Sequence, residues 1–395
     1  MSDGHAAAER HASWLELFFD LVVVVAVGQL AHLVHGEAHH GPDALSIVTF
    51  FALYLAIWLV WTTFTLYANV VADAVRQQAM FVGMAGIALM AATVPHGMGE
   101  RSTVFAVAYL VTAGVGASAF TRSGQVLLSW GAATRNAGLV PWVVSFWVHE
   151  PWWRLGLWLL GLAITVAFSV FGGRDDERQL AELNQRIEQR LEQVRDERRR
   201  ERARREHPLL TAARLDPAHL GERLGLFVII VLGEAMLQLI GAMSEVEDWS
   251  PGRGVGWVLL LTVAGGFVLL VFLWALNVRH GFAESTSLAP GALLPAHFVA
   301  IASITTIATG LGAAVTDSAE HLPTGTAWLL CGGVSAYLLV ITSLARRPRW
   351  AWSALAAALP LAAGVAAPVL PAAAVVGVVL LAAAGQTWNL GRARG

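Results

Sequence analysis

Lysine is missing altogether, so all 26 basic residues are arginine. Cysteine occurs once, at Cys331 inside an apolar run, which excludes a disulfide framework and a cysteine-based metal site. Charge of either sign is scarce, at 14% of the 395 residues, where soluble domains hold about 25%. Twelve of the arginines lie between Arg174 and Arg214, so the rest of the chain is poorer in charge still. The net charge is −2 and the basic residues are locally balanced, which leaves no footprint for nucleic acid. A Walker loop, an H-E-x-x-H and a G-x-S-x-G are also absent. No cofactor is therefore expected, and an enzyme is the lesser reading. The opening MSDGHAAAERHAS has no basic n-region or cleavage site, so the first apolar segment is expected to remain as a span.

What is abundant is apolar sequence, 56% of the chain. A span needs about 20 mostly apolar residues. On that scale spans are predicted near 14–35, 46–67, 76–94, 102–121, 132–148 and 153–171, then near 218–241, 254–277, 291–315, 324–343, 349–366 and 368–386. The expected fold is an all-α polytopic membrane protein of about twelve transmembrane helices in two parallel six-helix repeats. The first repeat covers 1–171, a charged cytosolic helical insert 172–215, and the second repeat 216–395. The repeats echo one another: Gly28-Gln29 in the first span matches Gly233-Glu234 in the seventh, and Asn69 closes the second span as Asn277 closes the eighth.

Arginine sets the orientation. With the N-terminus inside, cytosolic segments hold Arg10, Arg76, Arg122, Arg135, the insert, Arg279, Arg346, Arg347, Arg349, Arg392 and Arg394, and the other side only Arg101, Arg154 and Arg253. Both termini are thus expected in the cytosol. In the insert, Leu180, Leu183, Ile187, Leu191 and Val194 recur at helical spacing on a polar background, which predicts a solvated linker helix over 174–206.

Ionisable groups inside spans cost about 2.5–3.5 kcal/mol each, so each is a candidate site residue. Glu16 and Asp20 share a helix face, Asp20 one turn deeper. Near the same level stand Asn69, Asp73, Arg76, His219, Glu222, Arg223, Asn277 and His297, whereas Gln29, Glu234 and Gln238 lie farther across. The expectation is a polar vestibule opening to the cytosol, with Glu16 hydrated at its mouth and Arg76 or Arg223 as counter-charge to Asp20. A structural alternative stands beside it: Asp73 with Arg76 and Glu222 with Arg223 as interfacial ion pairs, and Glu16 as a carboxylate complementing its helix dipole. On the outer side, His32, His35, His39 and His40 carry ligand types that zinc accepts, but at no metal-motif spacing, and solvated histidines are the simpler reading. The 16 tryptophans, Trp142 and Trp147 among them, read as interfacial anchors.

The stretches WLELFFDLVVVVAVGQLAH, NVVADAVR, ERLGLFVIIVLGEAML and AHFVAIASITTIATG resemble the bacterial low temperature requirement A (LtrA) family of multipass membrane proteins. The resemblance implies signature positions at Glu16, Phe18, Phe19, Asp20, Gln29, Asn69, Asp73, Arg76, Glu222, Arg223, Gly233, Glu234 and His297, and a place in the bacterial plasma membrane. The family's Asn-Arg-Phe at the exit of span two reads Asn69-Val70-Val71 here. The function expected is a proton-coupled secondary transporter or permease of a small solute. A channel of two six-helix repeats, or a membrane-embedded lipid-handling protein or enzyme, is the alternative. Membrane lipids, a small solute or ion, and a second copy of the chain are the partners considered.

Overall fold

The computed structural model describes residues 11–35, 41–71, 73–127, 137–171, 176–193, 196–198, 201, 210–246, 255–285, 288–346 and 349–392. Nearly all of this is helix: α1 (Trp14–Leu33), α2 (Ala44–Val70), α3 (Asp73–Thr93), α4 (Ser102–Arg122), α5 (Val140–Val144), α6 (Pro151–Phe171), α7 (Asp176–Glu192), α8 (Pro217–Ser244), α9 (Val255–His280), α10 (Pro290–Thr316), α11 (Thr324–Leu344), α12 (Trp350–Ala366) and α13 (Ala372–Arg392).

Ten of these elements are long and apolar enough to cross a membrane. The chain is a multipass membrane protein, and the expected count of twelve spans becomes ten among the described residues. The two exceptions have a plain cause. In the third predicted span the apolar stretch is only Gln77–Thr93. In the fifth, Pro141 lies in a broken run, a 3₁₀ turn, the five-residue α5 and a second 3₁₀ turn over Ala137–Trp147. Eleven residues rise only about 16 Å, half of a hydrocarbon core of about 30 Å.

Helix starts follow the sequence. Ser13 caps α1 in a capping box with Glu16, Asp43 caps α2 by accepting from Ser46 N at 2.8 Å, and Asp216 with Pro217 opens α8. Helices α2 and α10 run through the middle of the bundle, with 61% and 83% of their apolar windows buried. Three threonines of α10 are satisfied there: Thr305 and Thr309 donate to carbonyls four residues back and Thr306 to one three back, while Tyr54 on α2 meets Thr305 at 3.1 Å. Bulky apolar residues such as Trp14, Val25, Leu237 and Leu261 are turned outward, as a lipid-facing surface requires.

The two halves pack in the same order. In each, the first helix lies against the second and third, the second against the third, fourth and sixth, the third against the fourth, and the fourth and sixth against the fifth. The halves meet where α1 and α2 touch α8 and α10 and where α6 touches α10. Among the described residues the charged α7 is tied to the rest through Asn184. Asn184 exchanges two hydrogen bonds with the Leu210 backbone, and Thr211 N donates to Gly124 O beside a two-residue parallel strand pair, 125–126 with 211–212. Gly124, at φ +70°, makes the turn that an L side chain would strain.

Candidate functional site: a buried charge cluster between the halves

Two pairs at i, i+4 spacing face each other across the seam. Glu16 and Asp20 form one stripe of α1; His219 and Arg223 form the matching stripe of α8. Arg223 Nη2 donates to Asp20 Oδ1 at 3.0 Å and its Nε reaches Oδ2 at 3.5 Å, while Nη1 lies 3.7 Å from Glu16 Oε1. His219 Nε2 stands 3.3 Å from the same Glu16 oxygen. The other oxygen of Glu16 accepts from Ser13 N at 2.7 Å and Ser13 Oγ at 2.8 Å, so one carboxylate both caps its helix and joins the cluster. Phe19 lies under the guanidinium, 5.9 Å from ring centre to Cζ.

This cluster is closed. Glu16 and Asp20 are 0% exposed and His219 and Arg223 1%. The expected vestibule with a hydrated Glu16 at its mouth is therefore corrected: Ser13 folds over Glu16 from its own helix, and α8 seals the other side. Arg223 supplies the counter-charge to Asp20; the side chains of Asp73 and Arg76 lie outside the described residues.

A second layer rests on the first through a residue that the sequence reading missed. Trp61 on α2 donates its indole N–H to Asp20 Oδ1 at 2.7 Å, and its ring stacks on His297 at 5.1 Å and 18°. Trp58, one turn earlier, donates to His297 Nδ1 at 3.2 Å, which fixes that nitrogen as an acceptor. Phe227 and Phe282 complete an aromatic enclosure around the imidazole. The signal was available: Trp58 and Trp61 sit in mid-span at i, i+3, too deep for interfacial anchors. Trp142 is likewise buried rather than interfacial, stacked on Trp158 at 4.6 Å, whereas Trp147 is an exposed anchor.

The remaining candidates lie apart. Glu234 is eleven residues beyond Arg223, about 16 Å along α8, half-buried and within 3.4 Å of Gln238 Nε2. Gln29 is half-buried at a similar depth on α1. Glu222 turns away from the cluster toward His11, at 3.3 Å. The two asparagines act as backbone clips. Asn69 exchanges bonds of 3.2 and 2.8 Å with the Asp216 backbone, and Asn277 donates to Gly225 O at 3.2 Å. His32 and His35 are exposed with ring centres 6.2 Å apart, and His39 and His40 lie outside the described residues. Among the described residues no three His, Cys, Asp or Glu side chains gather to hold a metal.

Comparison with known proteins places the chain. The profile of the family described as bacterial low temperature requirement A protein (LtrA) matches residues 11–386. The chain is 28% identical over 297 residues to Uncharacterized protein RA0937 of Rhizobium meliloti (strain 1021). That match covers 69% of this chain and 63% of the relative, so this chain spans under two thirds of the relative's length. No solved structure matches.

Proposed function

The chain belongs to the bacterial low temperature requirement A family, and on that premise we propose a proton-coupled secondary transporter of a small solute in the bacterial plasma membrane, both termini cytosolic. Its two parallel six-helix repeats are latched together by the Glu16–Asp20–His219–Arg223 cluster. The shared packing order of the two halves supports the repeat reading, and the one-sided arginine distribution supports the orientation.

The observation that carries the proposal is a protonatable pair inside the latch: His219 Nε2 and Glu16 Oε1 stand 3.3 Å apart beside the Asp20–Arg223 contact, with all four side chains shut off from water. In so dry a site a proton shared by that pair alters the charge that α8 presents to α1. Gain or loss of that proton would change how strongly α1 holds α8, the contact through which one repeat would move against the other. His297, enclosed by aromatic rings and joined to Asp20 through Trp61, would couple the latch to α10.

Proteoliposomes on a solid-supported membrane, challenged with amino acids, organic acids and monovalent cations under an imposed pH gradient, test the reading. A saturating, pH-gradient-dependent current that Asp20→Asn abolishes is expected. Currents that rise linearly with concentration would favour a channel. A silent panel, together with pH-difference infrared spectra in which no carboxyl or imidazole band is altered by Asp20→Asn, Glu16→Gln or His219→Gln, would overturn the proposal.

A further inference from the structure

On the lipid-facing side of the second half, α12 and α13 part along a groove of about 300 Å³. Its walls are apolar: Leu355 and Leu359 on α12, Leu381 and Gly385 on α13. Gly385 is what opens it, since a Cβ added there would meet nothing within 4 Å. One end is different in kind. Arg349 precedes α12 and Arg392 ends α13, so the antiparallel pair brings both to the same mouth, at the arginine-rich end of the bundle. Arg392 is held there by Trp388, with Cζ 3.8 Å from the ring centre. Among the described residues no acidic side chain lines the groove.

Just inside the arginines, Asn389 lines the groove wall while only 6% exposed. Its Nδ2 makes a long 3.5 Å contact with Ser353 Oγ, and its Oδ1 has no hydrogen-bond partner among the described residues. Ser353 is already engaged by Gln386 Nε2 at 2.9 Å. A buried amide with an open valence at this depth wants a polar partner. Two fixed positive charges, a polar atom one turn below them, and an open apolar channel beneath match the parts of one molecule in order: phosphate, glycerol backbone, acyl chain.

We infer that the α12–α13 groove is a binding site for an anionic phospholipid, its phosphate on Arg349 and Arg392, its glycerol region at Asn389 and an acyl chain along Gly385. The arginines select charge, because a basic pocket at a helix mouth attracts anionic headgroups over neutral ones. The site is independent of the transport reading, since it shares no residue with the charge cluster.

The test is native mass spectrometry of the purified full chain, titrated with dioleoyl phosphatidylglycerol or dioleoyl phosphatidylcholine. At about one kcal/mol per surface arginine the wild type should prefer the anionic lipid roughly thirtyfold. Arg349→Gln with Arg392→Gln should reduce that to near parity, either single change to roughly fivefold, and Arg349→Lys with Arg392→Lys should keep most of it. Gly385→Leu, whose Cβ meets nothing within 4 Å and whose side chain would occupy the groove, should lose both lipids from this site while eluting as the wild type does. Equal binding of the two lipids by the wild type, or a preference that survives the double Gln variant, would overturn the headgroup assignment. Unchanged phosphatidylglycerol binding by Gly385→Leu would overturn the groove as its seat.

Discussion

The Arg223 guanidinium on α8 donates to the Asp20 carboxylate on α1 across 3.0 Å, joining the first helix of one half to the first helix of the other with both groups shut off from water. Arg223 meets both carboxylates, and this decides how substitutions should behave. Asp20→Asn keeps Glu16 opposite Arg223 and should cost only about 1–2 kcal/mol in lost charge-assisted hydrogen bonds. Arg223→Gln removes the guanidinium that both buried carboxylates face and should cost about 3–5 kcal/mol. Thermal unfolding in detergent reads the difference. Adding Asp20→Asn to Arg223→Gln should recover part of the loss, and equal destabilisation by the two single changes would contradict the pairing of Asp20 with Arg223.

Trp61→Phe separates the two roles of the indole. The ring that stacks on His297 is kept, while the N–H that meets Asp20 at 2.7 Å is lost. A hydrogen bond to a charged group is worth about 1.5–3 kcal/mol, and a loss of stability of that order, read as a lowered melting temperature, is expected. Infrared difference spectra should show a shifted Asp20 carboxylate band, and an unmoved band would mean that the bond contributes nothing to the carboxylate's environment.

Gly310→Ala should destabilise although alanine is the better helix former by about 1 kcal/mol. A Cβ at Gly310 would lie 2.5 Å from Leu330 Cβ and 3.1 Å from its Cα, so α10 and α11 must separate rather than a side chain swing aside. Such overpacking costs about 1–3 kcal/mol. Gly233→Ala, where a Cβ meets nothing within 4 Å, should be neutral or slightly stabilising in the same assay.

Replacing 176–204 by a flexible linker should leave a monodisperse membrane protein. The described tie of α7 to the bundle is Asn184 with Leu210, two hydrogen bonds worth about 1–3 kcal/mol together. Thr211 would still be held to Gly124. Aggregation after this deletion would show that the insert carries the fold. Accessibility tags near Glu150 and within 180–193 should label from opposite sides of the membrane, outside and inside respectively.

The difference between what could be read early and what could not is clearest in α1. A run of apolar residues from Trp14, broken by two acids four residues apart, was enough to specify a spanning helix and a shared face for Glu16 and Asp20, whereas the cap at Ser13 came only with the structure. Those are local properties, set by length, spacing and the chemistry of a single turn. The same kind of pattern reading overcounted where Pro141 broke the helix, because composition over a window cannot see a kink that shortens it. It also set Trp142 among the interfacial anchors, because it had no way to know that Trp158 would lie against it.

Which acid meets which base was settled only by folding. Asp20 and Arg223 are 203 residues apart, and any of several arginines at that membrane level would have satisfied the sequence. The seam between α1 and α8 chose Arg223, placed His219 beside Glu16 and brought Trp61 from α2 between Asp20 and His297. The reason is physical. Hydropathy and periodicity fix how each segment satisfies its own backbone and its lipid or core environment, but a buried charge is satisfied by whatever distant group the packing of separate helices carries to it. The sequence alone therefore determined that these polar groups needed partners. The tertiary structure decided that they found one another in a sealed cluster rather than water in a vestibule.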